Sequence, residues 1–282
     1  MILSPTRRLL SDSLKPVRED GRRLGLVPTM GYLHEGHLSL VELGRERSDF
    51  LAVSIFVNPL QFGPGEDLDR YPRDLDRDLA LLRDRGADLV FFPSTEEMYP
   101  FGEPQVVVEP GPVGQRLCGK YRPGHFRGVL TAVARLFGLF RPHVAVFGQK
   151  DYQQMVLVRS MARDLEMGVE VALGPIVREA DGLALSSRNV FLSGAQRADA
   201  VGLRQSLLAV QRAFGAGTGS GEELRAVLAR EVAKYPLLEL QYGEIVHPDT
   251  LEALETVVPG AVVAVAAYCG STRLIDNHLL EA

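Results

Sequence analysis

Apolar residues fall into two alternating rhythms along the first part of the chain. Short continuous apolar runs at residues 24–27, 50–56, 89–92 and 144–147, each bounded by turn formers, predict buried strands. Between them, apolar positions recur three and four residues apart over 38–47, 74–85 and 129–139, and again over 152–164, which predicts helices. Strands alternating with helices predict an α/β fold, a doubly wound parallel sheet with helices on both faces. In such a sheet, ligands sit beyond the carboxyl ends of the strands. The rhythm changes near Pro175. Two helices are expected at 194–214 and 221–234, joined by the flexible turn Gly215-Ala216-Gly217-Thr218-Gly219-Ser220-Gly221. Strand-like runs at 240–246, 261–268 and 272–276 follow, so a second, smaller α+β C-terminal domain is expected. The domains are taken as 1–176 and 177–282.

The stretch with the most chemistry follows the first strand: Thr29-Met30-Gly31-Tyr32-Leu33-His34-Glu35-Gly36-His37. A glycine-bearing turn between strand and helix can aim backbone N–H groups at an anion, and the positive end of the helix favours negative charge there. His34 and His37 are three apart, so both rings can face one ligand. Gly36 between them removes a side chain that would hold a phosphate away. With 6 His and 28 Gly in 282 residues, chance supplies only about 0.01 copies of His-x-Gly-His. The bland alternative is a helix cap with two solvated histidines.

Four further stretches carry polar side chains. Asn58-Pro59-Leu60-Gln61-Phe62-Gly63 follows the second strand, and its amides suit hydroxyls and carboxylates of a small substrate; a plain Asn-Pro turn would look the same. Residues 66–78 are rich in acids and arginines and read mostly as a solvated helix face, in which one carboxylate could hold Mg²⁺ beside phosphates. Gly148-Gln149-Lys150-Asp151-Tyr152-Gln153-Gln154 follows the fourth strand. Either Lys150 places a point charge on a phosphate, or it is solvated beside a helix start capped by Asp151. On a helix, Gln154 shares a face with Lys150. Leu185-Ser186-Ser187-Arg188-Asn189 offers hydroxyls and a guanidinium for a triphosphate, though a Ser-rich turn has the same appearance.

Composition narrows the classes. Hydrophobic residues make up 46% and charged residues 24%, ordinary for a soluble globular protein. A net charge of −5 supplies no global basic field for nucleic acid, so cations for an anionic ligand must be concentrated locally. No apolar run reaches the roughly 18 residues of a membrane span. The opening Met1-Ile2-Leu3-Ser4-Pro5 lacks the apolar core of a signal peptide. Cys118 and Cys269 have no metal-ligand spacing. A cytoplasmic chain with two reduced thiols, no nucleic-acid partner and no membrane partner is expected.

In order and spacing, these stretches resemble the pantothenate synthetase family, the pantoate–β-alanine ligases of the cytidylyltransferase-like superfamily. The resemblance runs from about Val27 to Arg188 and continues more loosely towards the C-terminus. It is carried by residues 28–37, by 56–63 with Tyr71-Pro72-Arg73 after it, by Arg122-Pro123-Gly124-His125-Phe126-Arg127-Gly128, and by 147–154 and 186–189. It implies a Rossmann-like nucleotide- and pantoate-binding domain, a small C-terminal lid or dimer-side domain, and a homodimer. It also implies a two-step reaction. Pantoate and MgATP give pantoyl adenylate and pyrophosphate, and β-alanine then gives pantothenate and AMP.

Residue by residue, the resemblance assigns ATP to Met30, Gly31, Tyr32, Leu33, His34, Glu35, Gly36 and His37. Gly148, Gln149, Lys150, Asp151, Val177, Leu185, Ser186, Ser187 and Arg188 join that set. His37, His34 and Lys150 are the implied catalytic residues, with His37 the proton donor. Gln61, Gln154 and Asn58 are assigned to pantoate and β-alanine, and Asp78 to Mg²⁺. Asp74 stands where the family pattern has Thr, and 122–128 is a motif match without an assigned role. Two other classes compete: a nucleotidylyltransferase that stops at nucleotide transfer, and a non-catalytic nucleotide-binding protein. A tRNA-charging enzyme shares the His-x-Gly-His logic but would want more basic surface than this chain has.

Overall fold

The computed structural model describes residues 1–282. They form two compact units, one holding 1–114, 122–148 and 154–175, the other 115–121, 149–153 and 176–282.

The first unit is built on six parallel strands: β1 (Ile2–Ser4), β2 (Leu24–Thr29), β3 (Phe50–Ile55), β4 (Leu89–Phe91), β5 (Val144–Gly148) and β6 (Glu170–Gly174). Their order is β1-β4-β3-β2-β5-β6. The chain steps from β2 through β3 to β4, then returns to place β5 on the other side of β2. That reversal makes the carboxyl ends of β2 and β5 the topological switch point, where an open α/β sheet takes its ligands. Helices α1 (Arg7–Glu19), α2 (Glu35–Glu46), α3 (Leu75–Asp84), α4 (Thr95–Met98), α6 (His125–Phe140) and most of α7 (Tyr152–Asp164) belong to this unit, and α5 (Leu117–Tyr121) to the other. Strand residues Leu26, Val27, Leu51, Val53, Val90, Val144 and Val146 are completely enclosed. This is why the strands read as unbroken apolar runs rather than alternating ones. Each such side chain contributes about 1.5–3 kcal/mol of burial.

The second unit holds α8 (Gly194–Ala200), α9 (Gly202–Gly215) and α10 (Gly221–Val232), followed by an antiparallel sheet of β7 (Leu238–Val246), β8 (Val262–Cys269) and β9 (Thr272–Leu279). Leu203, Leu207 and Val210 of α9 and Leu224 and Leu228 of α10 pack on Val263, Val265 and Ala267 of β8. No helix is long and apolar enough to cross a membrane.

The expected fold class is the one found, with differences in detail. The helix expected over 194–214 is interrupted at Val201; the next residue, Gly202, lies under the Tyr235 ring, where a Cβ would stand 2.4 Å from Cδ2. Five elements go unannounced in the apolar pattern, the short helices α4 and α5 among them. β1 is only three residues long, and α1 carries Pro16, a residue that argues against helix. α1 forms because Thr6 accepts a hydrogen bond from the Leu9 N–H and because Leu10, Leu14 and Val17 bury one face. β6 lies at the sheet edge with Glu170 and Leu173 exposed, so its apolar signal is weak.

Candidate active site

The turn after β2 is tied down from within the protein. Gly31 and Tyr32 adopt left-handed backbone (φ 82° and 51°), which is easy for glycine and strained for tyrosine. Asp78 of α3, 1% exposed, holds both neighbours: its Oδ2 accepts from the Tyr32 N–H at 2.7 Å and its Oδ1 from the Leu33 N–H at 2.8 Å. Burial pushes the Asp78 carboxyl above its ordinary value, against the pull of these two N–H groups and of Arg77. Arg77 also lies over the Tyr32 ring, 5.4 Å from its centroid. Asp74 caps α3 by accepting from the Arg77 N–H at 3.1 Å, a task that threonine also performs.

The two histidines form a reciprocal cap at the start of α2. His34 Nδ1 accepts from the Gly36 N–H at 3.1 Å, and His37 Nδ1 accepts from the His34 N–H at 3.4 Å. Their rings lie 4.1 Å apart, centre to centre. With Nδ1 accepting in each ring, the neutral tautomer carries its proton on Nε2, so each imidazole is a donor at its outer edge. The sequence assigns the turn's N–H groups to an anion. The structure corrects this: Gly31 donates to Thr29 Oγ1, Tyr32 and Leu33 to Asp78, and His34 and Gly36 to imidazole nitrogens. Leu33 is buried, and the Glu35 carboxylate pairs with Arg85 at 3.0 Å, so neither side chain points to a nucleotide role.

Asp78 does not fit the Mg²⁺ site that the sequence resemblance gives it. Both its oxygens are engaged by backbone donors out of solvent, and no group of three or more His, Cys, Asp or Glu side chains stands together as an ion cage. What α3 supplies is the restraint on the nucleotide turn.

Beside this turn, Gln61 Nε2 donates to Met30 Sδ at 3.0 Å. The residue assigned to the nucleotide therefore touches the residue assigned to the acyl substrate. Gln61 ends the short 3-10 turn Pro59–Gln61, which Asn58 caps. Buried Asn58 donates to Gln61 Oε1 and to the Gly128 carbonyl, both at 3.1 Å, and its Oδ1 accepts from the Tyr99 hydroxyl at 2.9 Å. Asn58 thus orients Gln61 rather than offering its own amide. Burial pushes the Tyr99 phenol up to about 12, which keeps it a donor at neutral pH.

The motif at 122–128 acquires a task. Arg122 Nη2 and His125 Nδ1 both meet the Gln61 carbonyl, at 3.3 and 2.7 Å, and Arg122 Nη1 lies 3.0 Å from His125 Nε2. Arg122 also forms a two-pronged pair with Glu66, at 2.5 and 2.7 Å. Burial opposes ionisation of Glu66, but the hydrogen bonds and charge of Arg122 outweigh it and hold the carboxyl below its ordinary value. Gly128 closes the arrangement: a Cβ there would stand 2.0 Å from the Leu60 oxygen. Gly128→Ala is expected to force the 58–61 turn off α6 and lower stability by about 1–3 kcal/mol, because backbone cannot give way as a side chain can. Urea unfolding measures this, and an unchanged midpoint would show that the turn can shift freely.

In the second unit, Lys150 and Asp151 follow the end of β5 in a 3-10 turn, with Lys150 Nζ 3.9 Å from Asp151 Oδ2 and the Asp151 side chain half exposed. Val177 and Leu185 face each other in a small hairpin, the Leu185 N–H donating to the Val177 carbonyl at 3.0 Å. Ser186 then caps the turn Ser187–Phe191 by accepting from the Arg188 N–H. Buried Cys118 lies 3.1 Å from the Tyr242 hydroxyl and 3.3 Å from Arg273 Nη2, a packed cluster. Burial, then Cys118, pushes the Tyr242 phenol far above its ordinary value. Gln154 is half-buried on α7.

A parallel sheet with a His-x-Gly-His turn after its central strand β2, and a lysine turn after neighbouring β5, defines the Rossmann-like nucleotide-binding class. Comparison with known proteins narrows it. The profile of the pantoate-beta-alanine ligase family matches residues 3–279, and the chain belongs to that family. It is 50% identical to the pantothenate synthetase of Thermoanaerobacter pseudethanolicus over 279 residues, covering 99% of this chain and 98% of the relative. The crystal structure of pantothenate synthetase from Thermus thermophilus superposes with a TM-score of 0.94 at 49% identity, covering all of both chains. The pantoate-beta-alanine ligase of Francisella tularensis, solved with beta-gamma ATP and beta-alanine, aligns with a TM-score of 0.81 at 32% identity, over 99% of this chain and 97% of that one.

Proposed function

We propose that this chain condenses (R)-pantoate with β-alanine, using ATP and passing through pantoyl adenylate. The observation that carries the reading is the 3.0 Å contact of Gln61 with Met30, within a family match that spans nearly the whole chain. In the first step the pantoate carboxylate attacks the α-phosphorus and pyrophosphate leaves. In the second, the β-alanine amine attacks the acyl carbon, loses a proton, and AMP leaves. Neither step needs a nucleophile from the protein; both need alignment and neutralised charge.

This chain's residues divide that work. His34 and His37 present Nε2–H donors to phosphate oxygens, and His37 is assigned the proton transfer. Lys150 is assigned the charge on the reacting phosphate. Ser186, Ser187 and Arg188 are assigned the triphosphate, Val177 and Leu185 the nucleotide, and Asp151 the ribose side. Gln61 and Gln154 are assigned the hydroxyls and carboxylate of pantoate. Mg²⁺ belongs to the proposal as a companion of the ATP phosphates, without a dedicated carboxylate cage. A homodimer, a cytoplasmic site of action and a lid role for residues 177–282 are part of the same reading.

The test measures pyrophosphate and AMP from MgATP and (R)-pantoate, with and without β-alanine. AMP and pantothenate in equal amounts, only when the amine is present, are expected. Gln61→Ala should raise the KM for pantoate at least tenfold and leave that for ATP within about twofold, a binding loss of roughly 1.4 kcal/mol or more. Pyrophosphate without AMP on amine addition would favour a nucleotidylyltransferase instead.

A further inference from the structure

We infer that Asp276 and Asn277, adjacent on β9, are positioning residues for the nucleotide-contacting segments of the second unit, fixing the Lys150 turn from one face of the strand and the Val177–Arg188 segment from the other. The inference rests on the assignment of Lys150 and Val177 to ATP. Successive strand residues point to opposite faces, so a strand with one buried face carries alternating burial. Asp276 and Asn277 break that alternation: each is 3% exposed. Two buried polar side chains in sequence are unfavourable unless each is fully bonded. Here they are.

Asn277 uses both hydrogens of its amide on consecutive carbonyls, that of Gln149 at 2.9 Å and that of Lys150 at 3.0 Å. Its Oδ1 accepts from Gln149 Nε2 at 3.2 Å. The amide has one allowed orientation, because flipping it would set Oδ1 against two carbonyl oxygens. Holding two consecutive carbonyls fixes the peptide planes around Lys150, and with them the direction in which its side chain leaves the backbone. Asp276 works on the other side. It binds Arg178 through both oxygens, at 2.6 and 2.9 Å, and its Oδ1 also accepts from the Asn277 N–H at 2.8 Å. Arg178 Nη1 reaches on to the Gly182 carbonyl at 3.0 Å, closing the hairpin that carries Val177 and Leu185. Two segments far apart in sequence are thus referenced to one dipeptide.

The experiment compares the two half-reactions. Asn277→Asp keeps the side chain's shape but replaces two donors with an oxygen facing two carbonyls. Its pyrophosphate release at saturating substrates is expected to fall about 10- to 100-fold, as misplacement by an ångström can do. The KM for pantoate should stay within about twofold, and capture of supplied pantoyl adenylate by β-alanine within about threefold. Equal loss in both half-reactions, or no loss, would overturn the inference. A second variant covers failure to fold: Asp276→Asn is expected to raise the KM for ATP about fivefold or more with pantoate unaffected, and unchanged ATP kinetics would count against the proposal. Lys150→Ala in the same assay separates the two levels. If it leaves adenylation intact, the role of Lys150 fails; if it abolishes adenylation while both β9 variants behave as wild type, only the positioning role fails.

Discussion

Lys150→Ala is expected to lower pyrophosphate release from MgATP and pantoate by on the order of 10²-fold or more, the loss seen when a preorganised group that meets developing charge is removed. The side chain is mostly sheltered, and its ion pair with Asp151 is long at 3.9 Å. In the proposed function, its contribution belongs to the step in which charge builds on the phosphates. Capture of supplied pantoyl adenylate by β-alanine should therefore suffer much less. Rapid-quench measurement of both half-reactions distinguishes the cases, and matched losses would assign Lys150 to general binding or folding.

Asp78→Ala should be nearly as damaging for a different reason. It leaves the N–H groups of Tyr32 and Leu33 without their acceptor and frees a turn in which a tyrosine is held left-handed. An orphaned buried donor costs about 1–3 kcal/mol, so the loss in stability should be of that order or somewhat above, and adenylation should fall by on the order of 10²-fold as the His34–His37 pair loses its footing. Asp78→Asn, which keeps one acceptor, should lie in between. The metal alternative predicts something else. If Asp78 held Mg²⁺, raising the metal concentration would restore much of the Asp78→Asn activity; a brace cannot be replaced that way. Titration of Mg²⁺ against the variant decides between them.

The parallel sheet was legible because its strands are covered on both faces, so Leu24, Val27, Leu51, Val53, Val144 and Val146 announce themselves as unbroken apolar runs. The His-x-Gly-His turn was legible because its chemistry is local, with partners within three residues. What stayed hidden is long-range. Asp78 looks like one acid among several in 66–78, and only the fold sets it under Tyr32. His125 and Arg122 form a recognisable motif, but their task exists only because α6 brings them to the Gln61 carbonyl. Asp276 and Asn277 read as the polar end of a strand. One signal was available for them: two consecutive polar residues, one of them charged, inside a strand whose side chains alternate between two faces.

The internal bonding of the nucleotide turn bears on inhibitor chemistry. Because the N–H groups of Gly31, Tyr32, Leu33, His34 and Gly36 already have acceptors, a carboxylate or sulfonate designed to sit on a bare nest of amides finds none of these five on offer. The turn's hydrogen bonds come from the chain's own groups, so a rigid compound shaped to it forfeits little to ordering the protein.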